Sequence, residues 1–210
     1  MTPGPVDPKE ARVQSELIVR ELQPDDVADY LALFDSAFDD NPGWGGCYCA
    51  FYDDTRATFD PEADAGLHRA ERAQRIRAGQ VHGLLAYRGG QAVGWCNVAP
   101  RSRLANLRDY ARAIEDPADD PALVMCFVIP PPQRGTGVAR ALVRGALDAA
   151  RRWGSPWVEA YPRNPDLPTG DLPASAASYK GPLPLYLSEG FRIARDLGVG
   201  YVVRHDLAGG

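Results

Sequence analysis

Hydrophobic residues along the chain follow two spacings, and the alternation between them predicts a fold of mixed strands and helices. The longest apolar run is Leu123–Ile129, which has the length of a strand covered on both faces and ends at three consecutive prolines. Glycines follow, and apolar residues then recur at helical spacing over 138–153, with arginines on the opposite side. The pattern predicts a buried strand, a glycine turn and an amphipathic helix in direct succession.

Shorter patterns predict the elements on either side of this unit. Alternating or apolar runs predict strands over 17–22, 82–87, 91–99, 157–161, 191–194 and 199–205. Helical spacing predicts helices over 24–38, 61–78 and 183–189. The predicted order is β-α-α-β-β-β-α-β-α-β-β. The segment 162–181 is long, rich in proline and without periodicity, which is typical of a lid or binding loop.

Composition narrows the class of protein. The 210 residues suit one domain over 15–210, preceded by a proline-rich segment, 1–14, that we expect to be a flexible arm. A net charge of −5 argues against general nucleic-acid binding. The sequence has four cysteines, no signal peptide and no apolar run of membrane length, so we expect a reduced, cytoplasmic setting without membrane attachment.

The turn before the amphipathic helix has the features of an anion site. Gly135 and Gly137 remove the Cβ atoms that would stop a phosphate from approaching the main chain. The first N–H groups of a helix have no intrahelical partners and carry the positive end of the helix dipole. Arg134 and Arg140 add positive charge, so a pyrophosphate fits this turn.

Two motifs resemble those of one enzyme family. The run Arg134–Ala139 resembles the R/Q-x-x-G-x-G/A motif of the GCN5-related N-acetyltransferases (GNAT), and Leu185–Phe191 resembles their L-Y-x-x-x-G-F segment. The resemblance implies an α/β (α+β) fold, with a mixed central sheet of about seven strands and about four main helices. It also implies that the cofactor strand and the next parallel strand splay apart to admit acetyl-CoA, which is the co-substrate.

The same resemblance assigns roles to individual residues. Acetyl-CoA would be held by the glycine turn and by main-chain amides at the end of the preceding strand, through Phe127, Val128, Ile129, Arg134, Gly135, Thr136, Gly137, Val138, Ala139 and Arg140. Tyr186 would protonate the departing sulfur. The chain departs from the family pattern at Tyr179, where an Asn is common, and at Pro182 and Pro184, which precede the tyrosine.

A base is needed to take a proton from the amine, and the strand over 123–129 offers no carboxylate. Glu159, on the following predicted strand, is therefore the candidate, either directly or through a water. A structural ion pair between Glu159 and an arginine is an equal alternative. His68, on the predicted helix 61–78, could also face the cleft, although a surface or core-edge histidine is the commoner outcome.

The stretch Trp44–Tyr52 concentrates aromatic residues beside glycines, and we interpret it either as a substrate wall or as a hydrophobic plug of the core. The candidate acceptor contacts are Trp44, Cys47, Tyr48 and Asn97. A satisfied sheet-edge amide would equally explain Asn97. Cys47 and Cys49 lack the spacing of a zinc site, so no metal is expected.

The expected reaction is direct acetyl transfer to a small amine-bearing metabolite or antibiotic. Acidic residues in and around the aromatic stretch would suit a cationic acceptor; they are Asp35, Asp39, Asp40, Asp53 and Asp54. Transfer of a longer acyl group, acetylation of a protein, and a coenzyme-A-binding sensor without turnover are the alternatives. A homodimer is left open.

Overall fold

Seven strands form one mixed β-sheet. The computed structural model describes residues 16–40, 42–53, 64–107, 119–168, 170 and 178–207. The strands are β1 (Leu17–Glu21), β2 (Leu84–Arg88), β3 (Gln91–Pro100), β4 (Ala122–Val128), β5 (Trp157–Ala160), β6 (Arg192–Asp196) and β7 (Tyr201–Asp206). Their order across the sheet is β1-β2-β3-β4-β5-β7-β6. Neighbouring strands are antiparallel except β4 and β5, which are parallel.

The described residues include four α-helices, which are α1 (Val27–Ser36), α2 (Ala65–Arg77), α3 (Val138–Trp153) and α4 (Leu183–Ser188). Short 3-10 turns lie at Pro24–Asp26, Pro42–Cys47, Phe51–Asp53, Arg101–Arg103 and Pro131–Gln133. Pro182 caps α4 and Pro184 occupies its first turn, where no intrahelical N–H bond is lost. These prolines therefore start the helix that carries Tyr186.

Both faces of the sheet are covered, which explains why β4 is apolar throughout. Leu123 and Met125 pack in a cluster with α1 and α2, whereas Val124 points to the other face and packs with α3. A Cβ added at Gly94 of β3 would lie 2.5 Å from Cγ1 of Val138. The absence of a side chain there lets the first turn of α3 pack directly on the sheet.

The pairing of β4 with β5 covers only the first part of β4. It runs from Ala122 opposite Val158 to Val124 opposite Ala160, and β4 then continues to Val128. The last residues of β4 therefore have no β5 neighbour. This opening is the splay that the family resemblance implies.

The predicted order of elements and the α/β class are confirmed. The boundaries differ at several ends. The helix predicted over 24–38 begins with a 3-10 turn, and its α-helical part ends at Ser36. The strand predicted from 191 begins at Arg192, because the Phe191 N–H still donates to the Tyr186 carbonyl at 3.1 Å. The predicted arm 1–14 and residues 61–63 of the second predicted helix lie outside the described residues.

The described residues contain neither a membrane-spanning helix nor a disulfide. Among the described residues, no helix combines the length and the apolar character that a membrane span needs. No disulfide joins the four cysteines, all of which are described.

Candidate functional site

The glycine turn lies between β4 and α3, as predicted. Gly135 (φ 73°) and Gly137 (φ 90°) both adopt left-handed backbone conformations, and Gly137 is the N-cap of α3. Such conformations cost glycine little. A Cβ added at either position would meet no heavy atom within 4 Å, so open space borders the turn. The N-terminus of α3 is therefore open to an anion.

Arg134 and Arg140 flank the turn, and each forms a salt bridge with a carboxylate. The Arg134 Nε donates to the Ile129 carbonyl at 2.9 Å, and its Nη1 lies 2.5 Å from Oδ2 of Asp40. The Arg140 Nε lies 3.0 Å from Oε1 of Glu189. The side chains of Arg134 and Arg140 keep 38% and 54% of their surface exposed, so both can still contact a bound anion.

A cavity of about 860 Å³ connects the glycine turn with the aromatic stretch. From β4, the turn and α3 it is lined by Phe127, Val128, Ile129, Gln133, Arg134, Gly135, Gly137, Val138, Ala139 and Arg140. Cys126 of β4 also lines it, and the rest of the described chain contributes Phe34, Ala37, Phe38, Asp40, Trp44, Cys47, Cys49, Phe51, Tyr52, Ser178, Tyr179, Lys180, Pro182 and Leu185. Thr136 is the one predicted cofactor residue outside this lining, and its hydroxyl donates to the Gln133 carbonyl at 2.7 Å within the turn.

The segment Ser178–Gly181 lies at the unpaired end of β4. The Phe127 N–H donates to the Tyr179 carbonyl at 2.6 Å. The Tyr186 hydroxyl donates to the Lys180 carbonyl at 2.6 Å, and Tyr186 is fully buried without lining the cavity. Two adjacent carbonyls of this segment therefore accept hydrogen bonds from the two groups that the family resemblance assigns to the thioester.

Two of the four acceptor candidates, Trp44 and Cys47, line the cavity. Trp44 is 38% exposed, and its ring centroid lies 5.6 Å from that of Tyr179. Burial raises the pKa of the Cys47 thiol to about 12. This thiol is consequently protonated at neutral pH and is a weak nucleophile.

Tyr48 lies in the core and does not line the cavity. Its carbonyl accepts hydrogen bonds from the Tyr30 hydroxyl at 2.7 Å and from the Arg72 Nε at 3.0 Å. Its own hydroxyl donates to Asp35 at 2.6 Å. Tyr48 therefore joins the aromatic stretch to α1 and α2, as the plug interpretation expects, whereas Trp44 lines the cavity.

Asn97 and His68 are also buried away from the cavity lining. Asn97 is 2% exposed, and its Oδ1 has no hydrogen-bond partner among the described residues. The His68 Nδ1 lies 2.9 Å from the Gly46 carbonyl, so this histidine ties α2 to the aromatic stretch. Neither side chain is placed to contact an acceptor in the cavity.

Glu159 is bound on several sides by its own strand and by β7. Its Oε1 accepts from the Arg204 Nη2 at 2.7 Å and from the Trp157 Nε1 at 2.9 Å, and its Oε2 accepts from the Tyr161 hydroxyl at 3.1 Å. Glu159 does not line the cavity. These contacts favour the structural ion pair over the catalytic base.

Two of the acidic residues thought to attract a cation are paired with arginines. Asp35 accepts from the Arg69 Nη2 at 2.8 Å, and this bond, with that of Tyr48, holds the pKa of the carboxyl below its ordinary value. Asp40 is the partner of Arg134. Asp54 lies outside the described residues.

Several lining residues were not singled out as site residues from the sequence. Phe34 and Phe38 read as the apolar stripe of α1, and Tyr179 and Lys180 fell in a segment without periodicity. The departure from the family motif at Tyr179 was the available signal. Within the described ranges, no group of three or more His, Cys, Asp and Glu side chains could hold a metal ion.

Comparison with known sequences decides the family. Residues 20–168, more than half of the chain, match the profile described as the acetyltransferase (GNAT) family. The chain belongs to the GNAT acetyltransferase family. It is accordingly an acyltransferase, as its two motifs predict. Among curated proteins, no sequence matches this acetyltransferase significantly.

Solved structures with this fold include the PaiA N-acetyltransferase from Thermoplasma acidophilum in complex with coenzyme A, at a TM-score of 0.51 and 11% identity over 91% of this chain and 99% of that chain. The GNAT domain of S. lividans PAT has a TM-score of 0.54 and 17% identity over 90% and 89% of the two chains. The GNAT-like decarboxylase GphF in complex with isobutyryl-CoA has a TM-score of 0.51 and 20% identity over 90% and 99%. The likeness to this acetyltransferase concerns the fold, and the fold alone does not fix the substrate.

Proposed function

We propose that this acetyltransferase transfers the acetyl group of acetyl-CoA directly to a small amine. The observation that carries the proposal is the glycine turn, whose two left-handed glycines border open space at the N-terminus of α3. The amides of this helix terminus and the two flanking arginines would hold the diphosphate of acetyl-CoA. The cavity that continues from the turn supplies room for both substrates.

The end of β4 is the proposed position of the thioester. The Phe127 N–H would donate to the acetyl carbonyl and stabilise the negative charge that develops on its oxygen. The amine nitrogen, as its free base, then attacks the carbonyl carbon, the carbon–sulfur bond breaks, and the Tyr186 hydroxyl gives its proton to the sulfur. The proton that the nitrogen loses on becoming an amide passes to solvent, from which the tyrosinate regains a proton. Both donors are bonded to the segment Ser178–Gly181, so the proposal requires acetyl-CoA to displace the Tyr179 and Lys180 carbonyls.

The acceptor is proposed to be a small molecule, in a reduced cytoplasmic setting, without nucleic-acid or membrane partners. The four cysteines without a disulfide and the net charge of −5 support this setting. Transfer of a longer acyl group is the second candidate, and the apolar lining next to the end of β4 is the observation that favours it.

Calorimetric titration with acetyl-CoA and mass spectrometry of amine products test the proposal. Gly137→Ala should weaken acetyl-CoA binding by about tenfold or more, because it adds a side chain and strains a left-handed position at the diphosphate. Gly198→Ala is the matched control, since Gly198 has φ 76°, has equal open space and lies outside the cavity. An equal loss of affinity in both variants would refute the diphosphate site, and an acetylated amine product from the wild type is required for the reaction.

A further inference from the structure

We propose that the acceptor of this enzyme carries its amine on a flat apolar body, such as an aromatic ring, and is not a polycation. The inference rests on the proposed acetyl transfer and specifies which class of amine binds in the same cavity. It replaces the cationic acceptor that the acidic sequence around the aromatic stretch suggested.

Beyond the glycine turn, the surface of the cavity is largely aromatic. Aromatic rings from four separate parts of the chain meet there; they are Phe34, Phe38, Trp44, Phe51, Tyr52 and Tyr179. Neighbouring rings pack on each other, with centroids 6.1 Å apart for Phe34 and Phe38 and 5.6 Å apart for Trp44 and Tyr179. Aromatic rings stabilise one another by stacked and edge-to-face contacts beyond the burial of apolar area, so such a wall selects a flat apolar body.

Nearly buried rings at the back of this wall hold it in a fixed position. Phe34 is 1% exposed and stacks on Tyr30 with ring centroids 4.5 Å apart. Tyr52 is 4% exposed, and its hydroxyl donates to the Met125 carbonyl at 3.1 Å. Rigid rings lose little entropy when a ligand binds, because their rotamers are already set by the core.

The charged side chains of the lining also disfavour a polycation. Among the described residues that line the cavity, Asp40 is the one carboxylate, and it is bonded to Arg134. The cations of the lining are Arg134, Arg140 and Lys180, and the Lys180 Nζ lies 5.4 Å from the ring centroid of Tyr179. The described lining residues therefore offer a polycation no carboxylate other than one already paired with an arginine, whereas an amine on a neutral aromatic body carries one charge at most.

An acceptor panel with matched chemistry tests the proposal. Phenethylamine and tryptamine represent the aromatic class, spermidine the flexible polycations, and kanamycin the hydroxyl-rich polycations. We expect kcat/KM for the better aromatic amine to exceed that for either polycation by about tenfold or more. A polycation turned over as well as the aromatic amines would overturn the inference while leaving acetyl transfer intact.

Binding measured without turnover separates this inference from the proposed function. Tryptamine should bind the protein in the presence of coenzyme A more tightly than spermidine does, by calorimetry, even if no product forms. Tighter binding of spermidine overturns the inference. Absence of any heat from coenzyme A itself instead overturns the proposed function, and the inference falls with it.

Variants of Trp44 test whether its aromatic ring is part of the surface that selects the acceptor. Trp44→Leu keeps an apolar side chain but removes the ring, and we expect it to raise KM for tryptamine by about tenfold. Trp44→Phe should stay close to the wild type, and Val199→Ala, at a position 72% exposed and outside the cavity, should change nothing. Equal KM values for the Leu and Phe variants would contradict selection by an aromatic face.

Discussion

The Tyr186 hydroxyl donates its hydrogen to the Lys180 carbonyl at 2.6 Å, although the family motif gives this proton to a departing thiolate. The two roles are compatible if the Tyr186 hydroxyl bonds to the Lys180 carbonyl in the free enzyme and to the sulfur during transfer. The phenol is fully buried, so it is screened from water in this structure. The carboxylate of Glu159, the candidate base, likewise already accepts hydrogen bonds from three side chains.

Tyr186→Phe should lower kcat by about tenfold or more, because the variant lacks the proton donor. The acetyl-CoA dissociation constant should change far less, because the variant keeps every contact of the glycine turn with the diphosphate. Tyr87→Phe is the control, since the Tyr87 hydroxyl is also bonded, to Asp29 at 3.1 Å, and lies outside the cavity. That variant should lose thermal stability without losing rate. A kcat for Tyr186→Phe equal to that of the wild type would remove the residue from the reaction.

Glu159→Gln should lower the free energy of unfolding by about 1–3 kcal/mol, because Arg204, 19% exposed, loses its charged partner. The pH profile of kcat/KM should keep its shape. Glu21→Gln is the control, because its pair with Arg152 is 36% and 58% exposed and contributes little. Loss of the alkaline-side rise in kcat/KM would instead establish Glu159 as the base.

At the scale of elements, the decisive contact is between the end of β4 and the segment Ser178–Gly181. β4 extends beyond the residues that pair with β5. The main-chain amides at its end that face away from β3 therefore need other hydrogen-bond partners. The Tyr179 carbonyl of the segment accepts the hydrogen bond of one such amide, that of Phe127. The segment is also bonded to α4, because the Tyr186 hydroxyl donates to the Lys180 carbonyl. Gly181, at φ 80°, allows this close approach, since a Cβ there would lie 3.0 Å from the Phe127 ring.

Acetyl-CoA should therefore act in opposite directions on two parts of the chain in hydrogen exchange measured by mass spectrometry. Amides over 134–140 should become protected, because they bind the diphosphate, and amides over 178–181 should exchange faster, because their carbonyls are displaced. Protection of 134–140 with unchanged exchange over 178–181 would mean that the cofactor binds without moving the segment.

At the scale of the whole molecule, one polar network fastens the first strand and helix to the sheet. Arg20 of β1 donates to both oxygens of Asp26, at 2.5 and 2.7 Å, and to the Tyr87 hydroxyl of β2 at 2.9 Å. The Gln23 N–H donates to Asp26 at 2.8 Å. The hydrogen bond from Arg20 lowers the pKa of the Asp26 carboxyl below its ordinary value.

Because the folded-state pKa of Asp26 is depressed, its contribution to stability is complete above the ordinary pKa of about 3.9 and is lost as pH falls through the folded value. Asp26→Asn should cost about 1–3 kcal/mol of unfolding free energy at pH 7, and less below about pH 4. Asp206→Asn is the control, since Asp206 and Arg192 are 52% and 57% exposed. A cost at Asp26 that does not change with pH, in urea unfolding series, would contradict this account.

Local chemistry explains which parts of the site could be predicted. The glycine turn and α3 depend on adjacent residues, so nearly all the cofactor-binding residues predicted from the sequence line the cavity. Trp44 was found because aromatic residues cluster beside it, but Tyr48 belongs to the core, since its left-handed backbone (φ 43°) and three bonds fix it there. Phe34 looked like any core residue of α1, because spacing along a helix does not distinguish a core from a cavity wall.

The strand–turn–helix unit at the glycine turn, the order of the elements and the family could all be read from the amino-acid sequence, because each depends on residues that are neighbours along the chain. The tertiary structure decided which side chains border the cavity, that Asp35 and Asp40 are paired with arginines, and that the Phe127 amide and the Tyr186 hydroxyl share one covering segment. These contacts join residues far apart in sequence, and their geometry follows from how the sheet, the helices and the aromatic stretch pack together.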